Sequence, residues 1–158
     1  MLPSPADVIA AAYRLRSTVE RTPLLHSAPL SAVAGADVYL KCENLQRTGS
    51  FKLRGATNAL AALSANERAR GVVASSAGNH GLGIAFASRT LGIRARIFIP
   101  STAPDVKRQG IVALGADVDD SHASYDAAHH AAMKFARESG RTFVNPCAGE
   151  ALIAGQGT

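Results

Sequence analysis

The chain has 158 residues, the size of one ordinary domain, and can bury about two-thirds of the surface that its unfolded form exposes. Hydrophobic residues make up 47% and charged residues 18%, with no long apolar run and no low-complexity tract, which excludes a disordered chain and a membrane-spanning helix. The net charge of +5 comes mostly from scattered arginines, and with aromatics at 5% and no basic run among them, nucleic-acid binding has weak support while an anionic small substrate fits as well.

The N-terminus, Met1-Leu2-Pro3-Ser4-Pro5, has neither a basic start nor an apolar signal core, which points to the cytoplasm and away from a membrane. Cys42 and Cys147 are far apart and lack metal-ligand spacing, so both are expected to be reduced and no metal site is expected. Ser4 can cap a helix whose first residue is Pro5, and Val8, Ala11, Ala12 and Leu15 recur at helical spacing in a helix expected to run to about Glu20. Thr22 to Leu25 is expected to be extended because the residue before Pro23 avoids the helical region. A short helical turn over Ser27 to Ala34 should end at Gly35, and Val38 to Cys42 reads as a strand. A polar loop, Glu43 to Ser50, then leads into a helix that carries Lys52 near its start and continues to Leu63.

From Gly71 the pattern becomes regular. Val72 to Ser75 reads as a strand, Ala77 to Asn79 as a turn, and His80 to Leu91 as a helix that is apolar nearly all round. A second strand covers Arg94 to Ile99. Pro104 opens a helix that Gly115 closes, and a third strand covers Ala116 to Val118. Tyr125, Ala128, Ala132, Phe135 and Ala136 share one helical face ended by Gly140, and Thr142 to Val144 is a fourth strand. The order β-α-β-α-β-α-β predicts an α/β fold with a small four-stranded parallel sheet covered by helices.

Three segments follow: 1–63, 64–144 and 145–158. The middle one reads as a complete α/β unit. The first offers two helices and one strand with no partner strand, so it is expected to lack packing partners and to expose an apolar face. The last begins a new element near Ala151 and stops, from which the chain is expected to be part of something longer.

Two stretches carry candidate chemistry. Lys52 sits in the first turn of a helix, where its charge opposes the helix dipole, so something other than helix stability should explain it. One explanation is an amine held near carbonyl chemistry, able to form a Schiff base; the plain alternative is a surface lysine. Ser75-Ser76-Ala77-Gly78-Asn79-His80 occupies the first strand-to-helix turn of the parallel unit, where free backbone N–H groups favour a carboxylate or phosphate. The plain alternative there is a βα turn with a capping asparagine. Nucleotide binding is disfavoured because Gly78, Gly81 and Gly83 run G-x-x-G-x-G and no acidic residue follows the second strand. His122, His129 and His130 read as a solvated helix face, with no ligand pattern around them.

Lys41 to Ala56 (KCENLQRTGSFKLRGA), Ser75 to Gly81 (SSAGNHG) and Ile153 to Thr158 (IAGQGT), together with Thr102 to Asp105 and Lys107, closely resemble the threonine/serine dehydratases and serine racemases. These are fold type II pyridoxal-phosphate enzymes, relatives of the tryptophan synthase β-chain. The resemblance implies that 1–63 is the N-terminal part of a large cofactor domain, 64–144 the small α/β domain, and 145–158 the start of the return to an incomplete large domain. It implies that Lys52 holds pyridoxal 5'-phosphate as a Schiff base and moves the substrate's Cα proton. Phe51 matches the residue packed against the cofactor and Asn79 the amide that hydrogen-bonds its ring hydroxyl. Ser75, Ser76, Ala77, Gly78 and His80 match the loop around the substrate carboxylate.

The implied reaction is β-elimination of a β-hydroxy amino acid, threonine or serine, to a 2-oxo acid and ammonia, in a full-length parent that is a homo-oligomer. Ala77 stands where related racemases have a serine serving as the opposite-face acid/base, which favours dehydratase over racemase. Leu82 stands where many relatives have glutamine. Absent from the sequence are the glycine-rich loop that cradles the cofactor phosphate and the residue meeting the pyridine nitrogen. The alternative is therefore a catalytically inactive fragment or a small-domain interaction module.

Overall fold

The computed structural model describes residues 2–158; Met1, the first residue of the 1–63 segment, lies outside the described residues. The chain forms α1 (Pro5–Leu15), β1 (Leu24–His26), α2 (Ala28–Ala34), β2 (Tyr39–Lys41), α3 (Lys52–Ala61), α4 (Ala65–Arg70), β3 (Val72–Ser75), α5 (Asn79–Leu91), β4 (Ala95–Pro100), α6 (Asp105–Ala113), β5 (Asp117–His122), α7 (Tyr125–Ser139), β6 (Thr142–Phe143) and α8 (Glu150–Gln156). Strands β3 to β6 make a parallel sheet in the order β5-β4-β3-β6, with Val72 opposite Ala95 and Thr142, and Arg96 opposite Asp117. The four-stranded parallel sheet expected from the alternating pattern is present.

Side-chain alternation along the strands assigns each helix to a layer. Val72 and Ala74 of β3, with Ala95, Ile97 and Ile99 of β4, share one core with Ala56 and Leu60 of α3, Ile84 and Ala87 of α5, Ile111 of α6 and Leu152 of α8. Val73 and Phe98 point the other way, onto Ala128, Ala132 and Ala136 of α7. Those alanines recur every four residues, and their small size lets α7 lie close to the sheet. All four residues of β3 are buried, as a central parallel strand covered on both faces requires.

Several boundaries differ from expectation. Helix α1 stops at Leu15, where its carbonyl accepts from the N–H groups of Thr18 and Val19; the β-branched pair ends the helix before Glu20. The strand at 39–41 does have a partner: β2 pairs antiparallel with β1, His26 opposite Tyr39. Helix α3 ends at Ala61, and a separate helix, α4, follows from a capping box in which Ser64 and Glu67 satisfy each other's backbone N–H groups. Strand β5 extends to His122, which stands opposite Pro100 of β4 and accepts from the Ser101 N–H at 2.7 Å; within it Asp119 pairs with Arg96 of β4 at 2.8 Å.

The first segment is not without packing partners either. Leu53, Ala56 and Leu60 of α3 are buried, and α3 lies between α5 and α8. The apolar exposure expected there is present on α1, where Ile9 and Tyr13 face outward, and on the β1-α2-β2 unit, where Leu24, Leu25, Leu30, Val33, Tyr39 and Leu40 do. No helix among the described residues is long and apolar enough to cross a membrane.

Candidate active site

Lys52 is the first helical residue of α3, after Phe51 at the N-cap, and no acidic residue occupies that helix's first turn. Its Nζ donates to the carbonyl oxygen of Pro146 at 2.7 Å and lies 5.2 Å from the centre of the Phe51 ring. Among the described residues no carboxylate pairs with it. A half-buried ammonium at the positive end of a helix is thus balanced by a carbonyl dipole and a ring face alone.

Two contacts fix where α3 begins. Gly55 and Gly155 face each other at the crossing of α3 and α8; a Cβ on Gly155 would lie 2.6 Å from the Arg54 carbonyl oxygen and 2.8 Å from the Gly55 Cα. Gln156 of α8 accepts from the Gly55 N–H at 3.2 Å, which ties the first turn of α3 to α8. Behind them Arg54 holds Glu43 through two parallel hydrogen bonds of 2.8 and 2.7 Å, and donates to the Glu20 carbonyl at 3.1 Å. These bonds from Arg54 hold the Glu43 carboxyl below its usual range, with burial opposing and the Thr22 hydroxyl assisting. The polar loop before Lys52 is thereby anchored.

The loop at the end of β3 meets this helix from the other side. Ser76 donates its backbone N–H to Phe98, and its hydroxyl accepts from the Gly78 N–H at 3.1 Å. Gly78 is the N-cap of α5 without a side-chain cap, and the first-turn N–H groups of Asn79, His80 and Gly81 find no acceptor within the helix. A Cβ on Gly81 would collide with the Ser76 carbonyl oxygen, and one on Gly83 would press on the Lys52 backbone at 3.3 Å. Glycine at these positions lets the loop fold onto α5 and lets α5 pass directly against the start of α3.

The predicted site residues fall into distinct places. Phe51 is 45% exposed, Asn79 is exposed at the start of α5, and Ser76, Ala77 and Gly78 are half-buried around it. Ser75 is fully buried on the opposite face of the sheet, its hydroxyl 2.8 Å from His129 Nδ1 in α7, so only its backbone belongs to the loop. His80 is 2% exposed; its Nε2 donates to the Val144 carbonyl at 3.1 Å, which leaves Nδ1 as an acceptor with no partner. Burial above all, with a smaller contribution from the Lys52 ammonium and against the Val144 hydrogen bond, lowers the His80 pKa from 6.5 to about 4. Near pH 7 His80 is therefore neutral.

Sequence reasoning missed the 144–149 connection, which supplies the acceptors for both His80 and Lys52. The Asn145-Pro146 dipeptide was the available signal, since it marks a turn. It also passed over the hydroxyls of Thr48 and Ser50, buried just before Lys52 without partners. A groove of about 770 Å³ along α1, lined by Ile9, Tyr13 and Arg16 among others, contains none of these residues.

A sequence model of the family described as "Pyridoxal-phosphate dependent enzyme" matches residues 15–158. The chain is 47% identical over 152 residues to an L-threonine ammonia-lyase of Thermotoga maritima, covering 96% of this chain and 38% of that protein. It is 41% identical over 156 residues to a serine racemase of Bos taurus, covering 97% of this chain and 47% of that one. The crystal structure of serine racemase from Dictyostelium discoideum superposes with a TM-score of 0.89 at 34% identity, over 97% of this chain and 50% of that chain. The chain thus spans half or less of the length of these relatives.

Proposed function

The chain belongs to the pyridoxal-phosphate dependent enzymes, and from that membership we propose that it carries the lysine-bearing wall of a site for β-elimination of threonine or serine to a 2-oxo acid and ammonia. The observation that carries the proposal is Lys52: a primary amine at a helix start, paired with no carboxylate among the described residues, against the uncapped N-terminus of α5.

The residues present suit the cofactor. Lys52 offers the one amine of the cluster, for the cofactor's aldehyde, and the Phe51 ring offers an apolar face beside it. The partnerless Ser50 hydroxyl and His80 Nδ1 are buried polar atoms of the kind that gather at functional sites. Asn79 would donate to the ring hydroxyl. When bound, pyridoxal phosphate supplies an electron sink for the charge that develops at the substrate's Cα. Ser76, Ala77 and Gly78, with the free N–H groups of α5, would hold the substrate carboxylate. Lys52 Nζ would take the Cα proton, and neutral His80 adds no second positive charge beside it. Ala77 offers no hydroxyl for proton delivery to the opposite face, which favours elimination over racemisation.

The close packing of α3 on α8 supports reading 1–63 and 145–158 as parts of one cofactor-binding unit, with 64–144 as the smaller domain. The two free cysteines accord with a reducing, cytoplasmic setting. The test is 2-oxo acid formation from threonine and from serine by an enzyme containing this sequence. Lys52→Ala should lower kcat by about a thousand-fold or more, and full activity in that variant would end the assignment.

A further inference from the structure

We infer that Asn145 is a positioning residue for Lys52, acting through the Pro146–Cys147 peptide; the inference rests on the reading of Lys52 as the cofactor lysine. Just after β6 the Val144 N–H donates to Val73, which fixes the main chain at the sheet edge. The next side chain, Asn145, turns back on its own backbone. Its Oδ1 accepts from the N–H groups of Cys147 at 2.8 Å and Ala148 at 3.0 Å, closing an Asx turn.

The Cys147 N–H belongs to the same peptide plane as the Pro146 carbonyl, and in a trans peptide the two point to opposite edges. No peptide bond among the described residues is cis. Holding the N–H on Asn145 therefore aims the carbonyl the other way, and there it accepts from Lys52 Nζ at 2.7 Å. Lys52 has a flexible four-carbon stem and no carboxylate to fix its end. Asn145 thus sets where the amine rests, although 94 residues separate Lys52 from its acceptor.

An amine donating to a carbonyl must release it before its nitrogen can attack, so the turn also governs how readily Lys52 reacts. The chain's four lysines, Lys41, Lys52, Lys107 and Lys134, provide an internal scale. The 158-residue chain is treated with limiting acetic anhydride, and the yield at Lys52 is read by mass spectrometry relative to Lys107 and Lys134. Asn145→Ala should raise that ratio about five-fold or more through loss of a charge-assisted hydrogen bond. Asn145→Asp, which keeps the acceptor oxygen, should stay near the parent value, and Asn145→Ser, a weaker turn former, should fall between. An unchanged ratio in Asn145→Ala overturns the inference. If that variant does not fold, an unchanged ratio in Asn145→Ser overturns it. A second measurement, borohydride trapping of added pyridoxal phosphate on the parent chain, reports on the reading beneath: an adduct mainly at another lysine defeats the cofactor-lysine assignment, whereas the acetylation series still decides the coupling to Asn145.

Discussion

Protonation of His80 should destabilise the chain at pH values where most of its carboxylates are still charged. The group lies buried with its Nε2 proton on Val144, and its pKa falls from 6.5 to about 4 in the folded state. A base whose folded pKa is depressed contributes stability that is present above the unfolded value and is lost as pH falls from there toward the folded value. Between pH 6.5 and about 4 the chain should therefore lose roughly 1.4 kcal/mol per pH unit, on the order of 3 kcal/mol in all. Glu43 and Asp119 have carboxyls held below their ordinary values of 4.5 and 3.8, so their losses begin only below that window's upper part. Urea unfolding at half-unit pH steps from 7.5 to 4.5 measures the effect. His80→Gln retains a side-chain N–H that can reach the Val144 carbonyl and cannot titrate. The difference between parent and variant separates His80 from the other four histidines. The reasoning is refuted if the variant keeps the parent's slope, or if the parent's stability is level from pH 6.5 to 4.5.

Two further substitutions test the platform beneath Lys52. Arg54→Ala leaves Glu43 buried without its partner, the two side chains being only 7% and 14% exposed, and should cost about 3–5 kcal/mol in urea unfolding at pH 7. Arg54→Lys should recover only part of that, because an ammonium cannot span both carboxylate oxygens. Gly155→Ala places a methyl group against the Arg54 carbonyl and the Gly55 Cα, and the forced separation of α3 from α8 should lower stability by about 1–3 kcal/mol. In a catalytically active parent the same variant should also disturb Lys52, seen as a change in kcat at unchanged expression.

What the sequence determined by itself is mostly local. The span of β3, the Ala128-Ala132-Ala136 stripe of α7 and the glycine stops at Gly35 and Gly140 follow from periodicity and left-handed caps, which act over one turn or one strand. The order of strands and helices then implied a parallel sheet, and the order of three motifs identified the family. Helix α4 was not read from the sequence, because Ala65 to Arg70 has no apolar stripe to announce it and the Ser64-Glu67 capping pair is its one local signal. Other features needed the tertiary structure, since they join residues far apart in the chain. The pairing of β1 with β2 depends on two three-residue strands meeting across α2. The alternation of β3 turns the Ser75 hydroxyl onto His129 rather than into the loop, and the burial of His80 depends on Val144, 64 residues away. The rest position of Lys52 is likewise set by a turn at Asn145, whose local conformation the sequence could suggest but whose direction only the packing of α3, α5 and α8 could decide.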